Sequence, residues 1–99
     1  MNLILDENEM SVKTDHKYSH LTPKEYGILS LLTENPGKTF SAEEIYRSTW
    51  NAEPYDCHLI ISVHIRHIRE KIEKDPSKPE MIKALWGRGY RFTKESQLA

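Results

Sequence analysis

"SVHIRHIREKIE", residues 62–73, is the stretch on which the reading of the whole chain turns. Its isoleucines at 65, 68 and 72, with Ile61 just upstream, recur every three or four residues. A helix turning about 100° per residue gathers them into one narrow stripe, and such a stripe is the face a helix buries. Roughly opposite lie Leu59, Val63, Arg66, His67 and Glu70, with Ser62 and Arg69 on one flank and His64 and Lys71 on the other. Water gives no reason to place Leu59 and Val63 there, although single exposed aliphatics are common. Small or aliphatic groups at Ser62 and Val63, with Arg66, His67 and Arg69 a turn further on, suit a major groove. They offer methyl contact to thymine, donors to base edges and cations to phosphate. On these residues alone, a plain solvated face stands beside that reading and both stay open.

Two sharper chemistries fit less well. His64 and His67 are three apart and His58 precedes them by about two turns, but three residues of helix turn the two rings about 60° apart. No carboxylate or thiolate completes a ligand set at a suitable spacing, so no metal is expected. For catalysis there is no Gly-rich phosphate loop, nucleophile elbow or HExxH, and Gly87-Arg88-Gly89 is too short, with no helix after it, for a dinucleotide fingerprint. The chain is not expected to be an enzyme, and no cofactor is expected.

Working outward, 99 residues are enough for one domain, residues 1–99, that buries its own core. Net charge is only −1, but residues 1–50 carry 5 basic and 8 acidic side chains while residues 51–99 carry 9 and 7. An anionic partner should therefore meet the second half. No apolar run approaches a membrane span, and "MNLILDENEM" has acids where a secretory signal has basic residues, so a soluble, cytoplasmic protein is expected. Cys57 stands alone, which leaves neither a disulfide framework nor a thiolate cluster and reads best as a small packed side chain.

The order of elements follows from local signals. "NLILD", "MSVKT" and "KYSH" read as three short strands of an antiparallel meander. In "LTPKEYGILSLL", Thr22 is an N-cap, Pro23 the first helical residue and Glu25 the closing member of a capping box, with Leu21 and Tyr26 as a hydrophobic staple. "ENPG" stops that helix, "KTF" makes a short strand, and Ser41 with Glu44 repeats the capping box for a second helix. After the loop "NAEPYD", Asp56 is expected to cap the third helix, which runs to about Lys74. "MIKALWGRGYRFTK" is a hairpin that turns at Gly87-Arg88-Gly89, giving an α+β chain.

Three separated stretches, "LTPKEYGILSLLTENPGKTFSAEEIYRSTW", "VHIRHIREKIE" and "IKALWGRGYRF", in that order and spacing, resemble the winged helix-turn-helix DNA-binding domain of OmpR/PhoB-type response regulators. "HIRHIREK" is most similar to the VanR-like branch. The resemblance spans nearly the whole chain. It implies a four-stranded N-terminal sheet, three helices and a C-terminal hairpin wing, and a role in two-component transcription regulation through specific double-stranded promoter DNA.

Carried over residue by residue, the resemblance makes the third helix the recognition helix, with Ser62, Val63 and His67 facing bases and His64, Arg66 and Arg69 touching phosphate. Trp50 and Tyr90 match further phosphate-contacting positions, and residues 51–56 match the stretch proposed to meet RNA polymerase. On chemistry alone, Trp50 and Tyr90 suit packing equally well, and Arg69 can pair with Glu73 along the helix. Ala84 stands where the family usually has a threonine. Trp86 stands where some members have an arginine for the minor groove; Arg88 at the exposed tip is expected to take that contact, with Trp86 packed beneath the wing in support.

A head-to-tail arrangement on tandem half-sites, with a monomeric isolated domain, is also implied. The receiver domain of a full-length regulator is not among these residues, so an excised effector domain and a stand-alone regulator both fit. A winged-helix module for protein partners is the rival from another class.

Overall fold

Leu3–Asp6 (β1), Ser11–Thr14 (β2) and Tyr18–His20 (β3) form the expected antiparallel meander, in the computed structural model, which describes residues 2–93. The remaining positions of the expected 1–99 domain, Met1 and 94–99, lie outside the described residues, as does Lys94 at the end of the expected hairpin. Leu5 pairs with Val12 and Leu3 with Thr14, placing one face on the core, while Ile4, Lys13 and Tyr18 line up across the other.

Two helices begin for the same local reason. The Thr22 and Ser41 hydroxyls accept the N–H groups of Glu25 and Glu44 at 3.2 and 3.1 Å, and those carboxylates accept the cap N–H groups at 2.9 and 2.8 Å. Each box satisfies donors that a helix start leaves unpaired. The first opens Pro23–Glu34 (α1); the second, after the short strand Thr39–Phe40 (β4), opens Ala42–Trp50 (α2).

The third helix, His58–Ile72 (α3), buries Ile61, Ile65, Ile68 and Ile72 to 1% exposure or less, as their stripe requires. They join Ile28, Leu29 and Leu32 of α1, Ile45 of α2, and Phe40, Met81, Ile82 and Phe92 in one core. Asp56 does not cap this helix. Its backbone is left-handed at φ 50, and the cap position falls to Cys57, which makes no side-chain cap bond and is buried among the core residues.

Ile82–Leu85 (β5) and Gly89–Phe92 (β6) make the C-terminal hairpin. The N-terminal sheet has three strands among the described residues, not four. The fourth short strand, β4, pairs instead with β6, giving the order β4-β6-β5, with Phe40 opposite Tyr90. Gly89 makes that pairing possible: a Cβ there would lie 2.0 Å from the Phe40 carbonyl oxygen.

Two buried carboxylates tie the helices to their surroundings. Glu73 leaves α3 in an extended conformation, ending the helix two residues before Lys74. Its carboxylate, on a residue only 2% exposed, accepts the N–H groups of Glu80, Met81 and Ile82 at 2.9–3.1 Å. The end of α3 is thus fastened to the start of the hairpin. Glu25 also accepts Lys71 Nζ of α3 at 2.6 Å. Burial alone would push the Glu25 carboxyl up, but the Lys71 and Thr22 hydrogen bonds, with the charges of Lys71 and His67, hold it below its ordinary value.

Candidate nucleic-acid interface

The outer face of α3 lies between two supports, each set by particular side chains. On one flank, the Arg69 Nε and Nη2 donate to the Ile82 carbonyl at 3.3 and 3.0 Å, joining the helix to β5. Arg69 therefore does not take Glu73 as its helix partner; Glu73 is occupied by the backbone beyond the helix. On the other flank, His64 donates Nδ1–H to the Ile60 carbonyl at 2.8 Å and meets the Trp50 ring edge-on at 5.2 Å. That leaves Nε2 of His64 as the ring's remaining polar atom.

Trp50 closes α2 in a small aromatic cluster. Its ring stacks on Tyr46 with centroids 4.7 Å apart, and Lys24 Nζ lies 5.1 Å from the ring centroid. Trp50 is thus held in place by packing while remaining only half-buried. Tyr90 is likewise half-buried, packed against the core in β6.

Between these flanks, Ser62, Val63 and His67 are half-exposed and Arg66 and Leu59 exposed. The Arg66 guanidinium has no hydrogen bond or ion pair among the described residues, and the same is true of the Arg88 guanidinium at the hairpin tip. The structure therefore brings Ser62, Val63, His64, Arg66, His67 and Arg69 onto one helix, with Trp50 beside its first half and Arg88 on a separate projection.

Lys83 and Arg91 add a signal, their pairing, that the count of cations in the second half does not carry. They are directly opposite across β5 and β6. Like charges in that register repel, a cost that an anion alongside would relieve. Once the hairpin register is drawn from Gly87-Arg88-Gly89, the pair is visible in "IKALWGRGYRF".

The wing overturns one expectation. Trp86 does not pack beneath it: the residue is 98% exposed. Leu85 and Gly89 are the last paired residues, so Trp86 falls within the turn, clear of both strands. The turn is closed by the Arg88 N–H on the Leu85 carbonyl at 2.9 Å, with Gly87 at φ 73. Ala84, at the position where the family usually has a threonine, is also exposed.

His58 finds a partner on another helix, with Nε2 2.7 Å from a Glu43 carboxylate oxygen. The Glu43 carboxyl is held below its ordinary value by its own backbone N–H and then by His58. No group of three or more His, Cys, Asp or Glu side chains comes together among the described residues, and no described helix is long and apolar enough to cross a membrane.

A family model described as "Transcriptional regulatory protein, C terminal" matches residues 16–92, most of the chain and all of the helix–wing arrangement. The chain belongs to this family of DNA-binding output domains of OmpR/PhoB-type response regulators. It is a family of transcriptional regulators, not of enzymes.

The chain is 48% identical over 90 residues to an uncharacterized transcriptional regulatory protein, YcbL, of Bacillus subtilis, covering 91% of this chain and 40% of YcbL. With the regulatory protein VanR of Enterococcus faecium it shares 37% over 93 residues, 93% of this chain and 40% of VanR, in keeping with the VanR-like character of "HIRHIREK". Among solved structures, the Thermotoga maritima response regulator DrrB, an OmpR/PhoB homologue, superposes with a TM-score of 0.77 at 36% identity, over 92% of this chain and 41% of DrrB. The DNA-binding domain of the response regulator AdeR, in complex with an intercistronic region, gives a TM-score of 0.75 at 25% identity, over 94% of this chain and 95% of that one. The chain thus spans about two fifths of the length of the curated relatives named.

Proposed function

We propose that this chain recognises specific double-stranded promoter DNA as a single effector domain, with α3 in the major groove and the β5–β6 wing against the adjoining minor groove. The observation that carries the reading is a pair of guanidinium groups without a partner among the described residues, Arg66 on the helix face and Arg88 on the wing tip. Exposed guanidinium groups on two neighbouring projections suit the charge of a duplex backbone.

In this reading Ser62, Val63 and His67 face base edges. Arg66, Arg69, His64, Trp50 and Tyr90 hold phosphates on either side, and Arg88 enters the minor groove. Arginine suits that place because its head is weakly hydrated and narrow A·T-rich grooves concentrate negative potential.

One recognition helix buries too little surface for tight binding alone, so we assign the chain to tandem half-sites occupied head-to-tail by domains that are monomeric when free. The loop 51–56 shows Tyr55 at 90% exposure, followed by exposed Leu59 and Ile60, an apolar edge that suits RNA polymerase as a protein partner. Such regulation belongs in the cytoplasm.

The roles of two neighbouring side chains separate cleanly. His67→Ala should flatten discrimination among site variants by about 1 kcal/mol or more. Arg66→Ala should weaken all sequences alike and reduce the salt slope by about one unit. Binding isotherms on a panel of single-base variants at several salt concentrations measure both. Reversed outcomes would show that the helix is rotated in the groove, with Arg66 toward the bases and His67 toward a phosphate.

A further inference from the structure

The wing ends on a side chain that the fold itself does not use. An indole usually buries most of its ring, yet Trp86 is 98% exposed. A loose loop is not the cause. Strand pairing runs up to Leu85 opposite Gly89, and the turn above is closed by the Arg88 N–H on the Leu85 carbonyl. Below it, β6 is held on both sides, by β4 and β5, and the Glu73 carboxylate anchors the start of β5. A large flat apolar group is therefore carried at the tip of a braced stalk.

Its surroundings say what kind of surface it meets. Arg88 lies two residues on, and Lys83 and Arg91 face each other lower on the same hairpin. The hairpin that carries the ring also carries three cations, the combination that suits a polyanion with stacked or sugar-lined apolar surfaces inside it. Resting on the DNA reading above, we propose that Trp86 is an apolar wedge for the minor groove. It lies against sugar rings and base edges and favours a step that unstacks readily, while Arg88 enters the groove beside it. An indole has a broad face but a single N–H donor, so it selects deformability rather than base identity. Pyrimidine–purine steps, TA above all, are the ones that open most easily.

The test uses duplexes enriched from a random-sequence pool by the wild-type chain, rebuilt with a TA or a GG step walked through the flanks of the site. Wild type should bind several-fold tighter with TA at one flank position. Trp86→Ala should lose on the order of tenfold there and no longer distinguish the two steps, while Trp86→Phe keeps most of both effects. The melting temperatures of the three proteins should agree, because the ring touches little of the fold. Trp50 remains in Trp86→Phe, so the part of the indole quenching on DNA binding that this variant loses should report Trp86 itself.

An alanine variant that binds both duplexes as wild type does, or that loses equally on both, overturns the wedge. So does an alanine variant that melts well below wild type, since the ring would then serve the fold. A wild-type chain that enriches no duplex overturns the DNA reading, and the wedge with it.

Discussion

Gly89→Ala should destabilise the protein by about 4 kcal/mol or more, seen as a fall of roughly 20 °C in melting temperature for a chain of this size. The added Cβ would lie 2.0 Å from the Phe40 carbonyl oxygen, 2.7 Å from its carbon and 2.8 Å from the Ser41 Cα. All three are backbone atoms, so no rotamer change relieves the clash, and φ at 135° is itself unfavourable for any L side chain. β4 must separate from β6, which withdraws Phe40 from the core and frees the base of the wing. Gly87 is the control. It also has positive φ, but a Cβ there would meet nothing within 4 Å, so Gly87→Ala should cost about 1–2 kcal/mol from backbone strain alone. Equal melting temperatures for the two variants would show that the β4–β6 contact is not what Gly89 serves.

Glu73→Ala comes second, with an expected loss of about 3–4 kcal/mol in chemical denaturation. Its buried carboxylate accepts three successive backbone N–H groups, from Glu80, Met81 and Ile82. Bonds to a charged acceptor are stronger than neutral ones, and buried donors left without a partner cost more than the bond was worth. Glu73→Gln keeps one acceptor oxygen but turns an NH₂ toward the same donors, so it should fall between wild type and alanine. Because these N–H groups fix the start of β5, both variants should also weaken DNA binding through the wing. If Glu73→Ala unfolds at the wild-type denaturant midpoint, water has replaced the carboxylate at no cost and the clamp is not needed.

Neither of these two residues stands out in the sequence for the role it has in the fold, and other residues make the physical reason clear. The Thr22 and Ser41 capping boxes and the Ile61–Ile72 stripe are legible because each is a relation between residues three or four apart, which helix geometry converts directly into contact. The same rule offers Glu73 to Arg69. Its real partners lie beyond the end of the helix, and Arg69 turns to Ile82 instead. The pairing of Phe40 with Tyr90 joins residues fifty apart, and no periodicity in either segment encodes it. The sequence therefore shows β4 as a short strand without showing which strand it joins.

Two local signals mislead for the opposite reason. Asp56 has the composition of a cap, but the loop reaches it in a left-handed conformation and Cys57 takes the position. Trp86 has the composition of a buried residue, but the hairpin register sets it in the turn. In the candidate site, the helical positions are legible around α3 because one turn angle governs them all. The roles of Trp50 and Tyr90 depend on packing between elements, and both rings are held by the fold while still reaching its surface.

DNA recognition by the helix and wing is tested most directly by titrating the chain with a pool-enriched duplex and with a scrambled duplex of the same composition, at salt concentrations from about 50 to 200 mM. With about four phosphates neutralised, log K should fall with log salt at a slope of roughly −3 to −4, a loss of about a hundredfold over that range. The enriched duplex should remain the tighter ligand throughout. A flat salt response, with the two duplexes bound equally, would contradict recognition of DNA by this surface.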